Sequence, residues 1–158
     1  NLMNRTLAIF AAFIMLLSAP MWVNAAGSGS DDNSSSASNI KDTYQNAVKA
    51  VNAENYKKAI SLLNEVIGKK PRHPDALNYL GYSHRKSGDY ARAVSYYKKA
   101  VSLEPKHRGA NEYLGQAYVE LGNLDAAIKQ LNILEDICGT SCEEYSSLKT
   151  SIDKAKKS

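Results

Sequence analysis

Residues 80–105 read LGYSHRKSGDYARAVSYYKKAVSLEP, and the same kinds of residue return 34 positions later in residues 114–139, LGQAYVELGNLDAAIKQLNILEDICG. A fixed period of this length predicts an array of similar helical units rather than one irregular globular fold. The positions that define the period are Leu80, Gly81, Gly88, Tyr90, Ala93, Tyr97, Ala100 and Pro105, followed by Leu114, Gly115, Gly122 and Ala127 in the next copy.

Each copy predicts two helices joined by a short turn. Apolar residues fall at helical spacing on both sides of Gly88, a glycine that suits a turn with a positive φ angle. Asp89 is placed to cap the second helix, and Pro105 ends it. Gly81 and Ala93 are placed on facing sides of the pair, where small side chains let the backbones approach closely. The predicted helices are 40–53, 56–68, 74–87, 90–103, 108–121, 124–137 and 143–156.

These residues resemble the tetratricopeptide repeat family, which has Leu-Gly in the first helix, Gly-Asp/Asn-Tyr at the turn, Ala and an aromatic residue in the second helix, and a terminal Pro. The resemblance implies an all-α, right-handed solenoid of three repeats, residues 40–73, 74–107 and 108–141. Residues 142–158 are then a capping helix with a basic tail, which covers the exposed face of the last repeat.

The chain departs from the family pattern at a few positions. The first copy has Ala47 in place of the first-helix Gly and Glu54 in place of the turn Gly. His84 occupies a place where a large apolar residue or Tyr usually packs, so we interpret it as a partly buried packing residue rather than a base. His73 and His107 recur at the same place in two inter-repeat turns, and repetition explains them without catalysis.

The N-terminal 25 residues have the features of a secretory signal peptide. An apolar run over residues 7–17 follows Arg5, and small residues before Ala26 suit cleavage after Ala25. The run is too short to span a membrane. Residues 26–39, rich in Gly, Ser and Asp, are predicted to be a flexible linker. We therefore expect an exported protein, periplasmic in a bacterium or else secreted, with no membrane association after cleavage.

Composition excludes several classes of protein. With 158 residues, 44% hydrophobic, the chain is too short for a large multidomain enzyme and too apolar to be wholly disordered. The net charge of +4 is divided unevenly: residues 40–73 hold seven basic and three acidic residues, and residues 108–141 hold two and five. This polarity would orient a partner of opposite polarity, or it is only an ordinary solvated surface. Nucleic acid is not an expected partner.

Cys138 and Cys142 lie between the third repeat and the capping helix. In an oxidising compartment they are expected to form a disulfide that pins this helix. The alternatives are a thiol-redox pair or a copper site. The spacing is not that of a thioredoxin-like motif, and no phosphate loop, zinc-protease motif or paired carboxylates appear. We therefore predict a protein that is not an enzyme and needs no cofactor or metal.

The family resemblance also implies a ligand-binding groove lined by the first helix of each repeat. Tyr44 and Tyr82 would offer rings to a protein or extended peptide, although the alternative is that they only pack between helices. The function predicted is a scaffold or adaptor; the alternatives are a periplasmic thiol or copper protein and a self-associating structural module. The groove residues implied are Tyr44, Val48, Asn78, Tyr82, Arg85, Lys86, Glu112, Gln116 and Val119.

Overall fold

The helices follow the predicted repeat. The computed structural model describes residues 32–158, and these form seven α-helices and no strand. The signal peptide predicted for residues 1–25 and the first part of the predicted linker lie outside the described residues. In chain order the helices are α1 (Asp32–Asn52), α2 (Tyr56–Lys69), α3 (Pro74–Lys86), α4 (Tyr90–Leu103), α5 (Arg108–Glu120), α6 (Leu124–Cys138) and α7 (Glu143–Ala155).

The start of α1 differs from the prediction. The helix begins at Asp32 and so extends into the segment assigned to the linker. Ile40, Ala47 and Ala50 bury one face of α1 and hold it in place. Once these turns are formed, adding residues to an existing helix is far easier than starting a new one, and no proline interrupts the extension.

The helices form two layers of unequal spacing. The inner helices α1, α3, α5 and α7 touch their neighbours in that order, whereas the outer helices α2, α4 and α6 touch only inner helices. Because the inner layer is closer together than the outer one, the described array curves, with its concave face formed by the inner helices. The prediction of an all-α solenoid with a terminal helix is confirmed.

Glycines in the first helix of a repeat allow the closest helix contacts. A Cβ atom on Gly81 would lie 2.5 Å from the ring of Tyr97, a side chain with no exposed surface. A Cβ atom on Gly115 would collide with Leu148 of α7. Glycine at this repeat position therefore lets the outer helix α4 pack closely in the second repeat and the terminal helix α7 pack closely in the third.

The turns between paired helices share one backbone conformation. Gly88 and Gly122 have φ angles of 84° and 73°. Glu54 occupies the same place in the first repeat with φ 55°. A side chain makes this left-handed conformation costly, by about 1–2 kcal/mol. The first repeat thus keeps the same left-handed turn conformation although the residue there is a glutamate and not a glycine.

The outer helices begin with the predicted side-chain caps. Oxygen atoms of Asp89 and Asn123, and also of Asn55, accept the N–H three residues later at 3.1 Å. Such a cap satisfies a helix donor that has no partner within the helix. The prediction of capping by Asp89 is confirmed, and Asn123 caps the equivalent helix of the third repeat.

The two turn histidines cap the inner helices α3 and α5, a role that was not predicted from the sequence. Nδ1 of His73 accepts the N–H of Ala76 at 3.3 Å, and Nδ1 of His107 accepts the N–H of Ala110 at 3.1 Å. Nε2 of His107 lies 3.0 Å from Oδ1 of Asp75 at the start of α3. His107 therefore both caps α5 and contacts α3, the inner helix before it.

Candidate functional site

A tyrosine-lined cleft opens between the inner helices of the first three pairs. It has a volume of about 330 Å³. Tyr79 and Tyr82 come from α3, Tyr113 from α5 and Tyr56 from the start of α2. The remaining lining residues lie at the end of α1 and in the turn after it, and they are Val51, Asn52 and Glu54. We refer to this feature as the tyrosine cleft.

The rings of the tyrosine cleft pack against one another. The Tyr82 centroid lies 5.2 Å from that of Tyr113 and 6.3 Å from that of Tyr56, the latter pair meeting edge to face. Tyr113 also lies 6.1 Å from the buried Tyr97. Ring pairs at these distances attract one another and limit ring motion. The wall of the cleft is therefore largely formed before any partner arrives.

Arg85 joins the second repeat to the third beside this cleft. Its Cζ atom lies 5.6 Å from the ring centroids of both Tyr82 and Tyr113. Its Nη1 donates to Oε1 of Glu120 at 2.8 Å, and only 14% of its side chain is exposed. Arg85 is one of the groove residues implied by the family resemblance, but its charge is already paired with Glu120.

Burial raises the pKa of several phenols in and near the tyrosine cleft. Burial raises the pKa of Tyr113 to about 12, with a smaller contribution from Glu112. Burial also raises the pKa of Tyr97 above its usual range, against the opposing effect of Arg85. Tyr44 shows a rise of pKa with the same main cause. Neutral phenols can both donate and accept hydrogen bonds, as peptide recognition requires.

Two of the predicted groove residues face other helices. Asn78 is 7% exposed, its Nδ2 would lie 3.5 Å from a Cβ atom on Gly109, and its Oδ1 is buried with no hydrogen bond from the described residues. Asn78, predicted to line the groove, is instead buried beside α5. Val119 packs against the apolar cluster shared by α6 and α7 rather than standing free in the groove.

The other predicted residues lie nearer the concave surface. Gln116 donates to Oγ of Ser147 on α7 at 3.3 Å. Glu112 is half-buried, and burial raises the pKa of its carboxyl. Val48 is half-buried on α1, and Lys86 is exposed at the end of α3. Tyr44 is also half-buried, with its ring 4.9 Å from His73 and 6.1 Å from Tyr79, so it packs between helices as the alternative interpretation allowed.

His84 packs inside the second repeat, as interpreted from the sequence. Its ring stacks on Tyr96 at 5.4 Å with an interplanar angle of 9°, and the residue is 6% exposed. Burial lowers its pKa, Arg92 lowers it further, and Asp89 opposes both. A neutral, stacked imidazole at this place is a packing group.

The two cysteines meet at the junction of α6 and α7. Their Cα atoms are 5.9 Å apart and their sulfur atoms lie within bonding distance. A carboxylate oxygen of Glu144 lies within 4.8 Å of the sulfurs, and Oε1 of Glu144 is 3.1 Å from Nη2 of Arg108. The cysteines and Arg108 thus both connect α7 to the third repeat.

Comparison with known families identifies the family to which the chain belongs. A family model described as "Anaphase-promoting complex, cyclosome, subunit 3" matches residues 34–133. The chain belongs to this family. Its repeats are tetratricopeptide repeats, as the residues at the 34-residue period predicted. A comparison with curated proteins found no match.

Solved structures share the tetratricopeptide fold at low sequence identity. The first tetratricopeptide domain of Spaghetti (RPAP3), bound to the HSP90 peptide SRMEEVD, is 19% identical; the match covers 75% of this chain and 94% of that one, with a TM-score of 0.68. The Yersinia enterocolitica type III secretion chaperone SycD with a peptide of the translocator YopD is 15% identical, with coverages of 75% and 89% and a TM-score of 0.66. A Thermobaculum terrenum O-GlcNAc transferase mutant is 23% identical, with coverages of 73% and 22% and a TM-score of 0.68.

The tetratricopeptide pattern contained a signal for the residues that the sequence analysis missed. Tyr79 and Tyr113 occupy the same place in successive repeats, and both line the cleft. Glu54 and Tyr56 flank the turn of the first repeat, at the other side of the cleft. Within residues 32–158, no helix is long and apolar enough to cross a bilayer.

Proposed function

We propose that the protein is an exported tetratricopeptide scaffold that binds a protein or an extended peptide in its concave groove and catalyses no reaction. The tyrosine cleft is the observation that carries this proposal. Two similar structures are described as complexes with a peptide, one from HSP90 and one from the translocator YopD. The same fold, with an aromatic cleft on its concave side, suits the same kind of ligand.

The tyrosine cleft is already rigid before a partner binds, and this rigidity favours binding. Tyrosine rings give large contact areas with few torsions to fix, and their hydroxyls hydrogen-bond to a peptide backbone. Arg85 is held by Glu120 and by the rings of Tyr82 and Tyr113, so the wall needs little rearrangement. A surface that is already ordered loses less conformational entropy on binding. Affinity would come mainly from ring contacts.

The chemistry of the cleft supports binding without catalysis. A general acid or base works best with a pKa near the operating pH. The pKa of Tyr113 is instead raised to about 12 by burial. The phenol therefore keeps its proton and serves as a hydrogen-bonding group.

Export would place the cysteines in an oxidising compartment. The basic start, short apolar run and small residues before Ala26 support cleavage after Ala25. A disulfide between Cys138 and Cys142 would then hold α7 against the third repeat. Intact mass and N-terminal sequencing of the exported protein test both points. A chain that begins before residue 26 contradicts cleavage, and two alkylatable thiols without reductant contradict the disulfide.

Crosslinking followed by pull-down from the cell envelope tests the groove. Tyr82→Ala removes a ring from the cleft, and Tyr96→Ala removes a ring of the same kind from the outer helix α4. Circular dichroism verifies that both variants are folded. We expect Tyr82→Ala to reduce recovery of the specific partner at least about tenfold, a typical loss for an aromatic anchor, and Tyr96→Ala to retain it. Equal recovery with both variants overturns the proposal.

A further inference from the structure

Glu54 supplies the charge in the wall of the tyrosine cleft. The six other lining residues are tyrosine, valine and asparagine, so Glu54 is the charged one among them. Within residues 32–158, no basic group lies within 4.0 Å of its carboxylate. The cleft therefore combines ring surfaces with a carboxylate that has no ion-pair partner in the described chain.

The basic groups near the cleft do not cancel this charge. Arg85 is paired with Glu120 at 2.8 Å. Lys86 is exposed and does not line the cleft, although both it and Arg85 oppose the effect of Glu54 on the pKa of Tyr56. The same phenol lies close enough to Glu54 for the carboxylate to raise its pKa, after the larger effect of burial. Glu54 therefore acts on the cleft itself.

The backbone at Glu54 provides a second, independent observation. Its φ angle is 55°, whereas the equivalent turns of the next two repeats use Gly88 and Gly122. A glutamate in this conformation costs stability that glycine would not. Residues held in costly backbone conformations cluster at functional sites. A role for the carboxylate in binding accounts for its presence at a turn where glycine fits best.

We propose that the tyrosine cleft binds an arginine side chain of the partner polypeptide, with Glu54 as its counter-charge. The inference rests on the proposed function, because it names the chemistry of a ligand for the same groove. Faces of tyrosine rings attract cations, and a planar guanidinium can stack on them. Arg85 already packs a guanidinium 5.6 Å from the centroids of Tyr82 and Tyr113. A volume of about 330 Å³ is at the small end of ligand sites and has room for one arginine side chain.

Titration of the intact protein with two blocked pentapeptides tests this inference. One peptide is acetyl-Ala-Ala-Arg-Ala-Ala-amide, and the other has citrulline, the neutral isostere, in place of arginine. NMR of the aromatic protons follows binding at Tyr56, Tyr82 and Tyr113. We expect the arginine peptide to bind about fivefold more tightly than the citrulline peptide, as a cation–π contact in water of about 1 kcal/mol implies.

Glu54→Gln gives the matched comparison, because it removes the charge and keeps the backbone and size of the side chain. We expect it to weaken the preference for arginine, because the counter-charge is removed while the tyrosine rings remain. Glu65→Gln on the surface of α2 is the control, since Glu65 pairs only with the exposed Lys69, and it should keep the preference. Equal binding of the two peptides, no binding of either, or an unchanged preference in Glu54→Gln overturns the inference.

The outcomes separate this inference from the proposed function. If Tyr82→Ala abolishes recovery of the partner but the arginine preference is absent, the groove binds a partner of another chemistry and the inference fails alone. If the arginine peptide binds as expected but Tyr82→Ala leaves partner recovery unchanged, the cleft has the expected chemistry and the proposed scaffold function fails.

Discussion

Arg85 on α3 and Glu120 at the end of α5 form a salt bridge of 2.8 Å between successive repeats. The pair lies beside the tyrosine cleft, with the guanidinium close to the rings of Tyr82 and Tyr113. Because Arg85 is 14% exposed and Glu120 is 33% exposed, water screens the pair less than it screens an exposed pair. Arg85 therefore takes part both in the wall of the tyrosine cleft and in the contact between the second and third repeats.

Breaking this pair should loosen the contact between repeats. Glu120→Gln should lower the free energy of unfolding by about 1–2 kcal/mol, since it weakens a hydrogen bond between charged groups. A double-mutant cycle with Arg85→Leu, measured by urea denaturation, isolates the interaction of the two residues. The corresponding change at an exposed pair, Asp153→Asn opposite Lys149, should cost less. A coupling energy indistinguishable from zero would contradict a structural role for the pair.

Replacing Glu54 by glycine should stabilise the protein. At φ 55° glycine removes the steric cost of the side chain, although it also gives the unfolded chain more freedom. The expected net gain is about 0.5–1 kcal/mol in the free energy of unfolding. The reverse change at the equivalent turn, Gly88→Ala, should destabilise by a similar amount. Glu54→Gly that unfolds at a lower urea concentration than the original protein would disprove this account.

Adding a methyl group at Gly115 should disturb the packing of α7 against α5. A Cβ atom there meets the side chain of Leu148, so Gly115→Ala should cost about 1–3 kcal/mol by overpacking. Gly68 in α2 has no atom within 4 Å of the same methyl position. Gly68→Ala should therefore be stabilising, because alanine favours a helix by about 1 kcal/mol. Thermal unfolding of both variants tests the contrast, which would be refuted by equal shifts in the same direction.

Stability should fall as the solution becomes acidic, in part because of His84. Burial lowers the pKa of His84 in the folded protein, so the unfolded chain binds a proton first as pH falls. The neutral, buried imidazole contributes to the free energy of unfolding, and this contribution is fully present above about pH 6.5, the pKa of histidine in the unfolded chain. As the pH falls below that value the contribution is lost, by at most about 1.4 kcal/mol per pH unit.

His84→Tyr tests this contribution, since Tyr118 occupies the same place in the next repeat. Urea denaturation at pH 7.5 and pH 5.5 should show a smaller loss of stability for the variant than for the original protein. Other groups titrate equally in both proteins, so the difference reports on His84. Equal losses would mean that burial of this imidazole does not affect stability.

The two cysteines should contribute to stability if they are oxidised. Closing the short loop between Cys138 and Cys142 is expected to contribute about 2 kcal/mol. Cys142→Ser should then lower the melting temperature and remove the effect of adding a reductant. A thiol or copper protein would instead lose its function in this variant with little change in melting temperature, and that result would contradict a structural bridge.

Much of the fold could be predicted from the sequence, because the repeat places the same residue types at each turn. Gly88 and Asp89 define where α3 ends and α4 begins, and Gly122 and Asn123 do the same one repeat later. The start of α1 at Asp32 was missed, because the Ser-rich composition of this segment favoured a flexible linker. Extension of a helix depends on the packed turns beyond it rather than on those residues alone.

The candidate site was harder to predict. Family positions indicate which helix lines the groove, and Tyr82 does line the cleft. They do not give the rotation of each helix, so Asn78 was expected at the surface although α5 buries it. The pairing of Arg85 with Glu120 and the entry of Tyr113 into the cleft depend on how one repeat is set against the next. No local pattern in the sequence determines the angle between successive repeats.

The unequal spacing of the two helix layers has a mechanical consequence. Because the outer helices α2, α4 and α6 do not touch one another, bending of the array acts instead on the contacts of each outer helix with the inner helix that follows it. Small rotations between repeats would widen or narrow the groove while each repeat keeps its own core. The width of the groove is then an elastic property of the whole array, and its stiffness depends on the α2–α3 and α4–α5 contacts together with inner contacts such as that between Arg85 and Glu120.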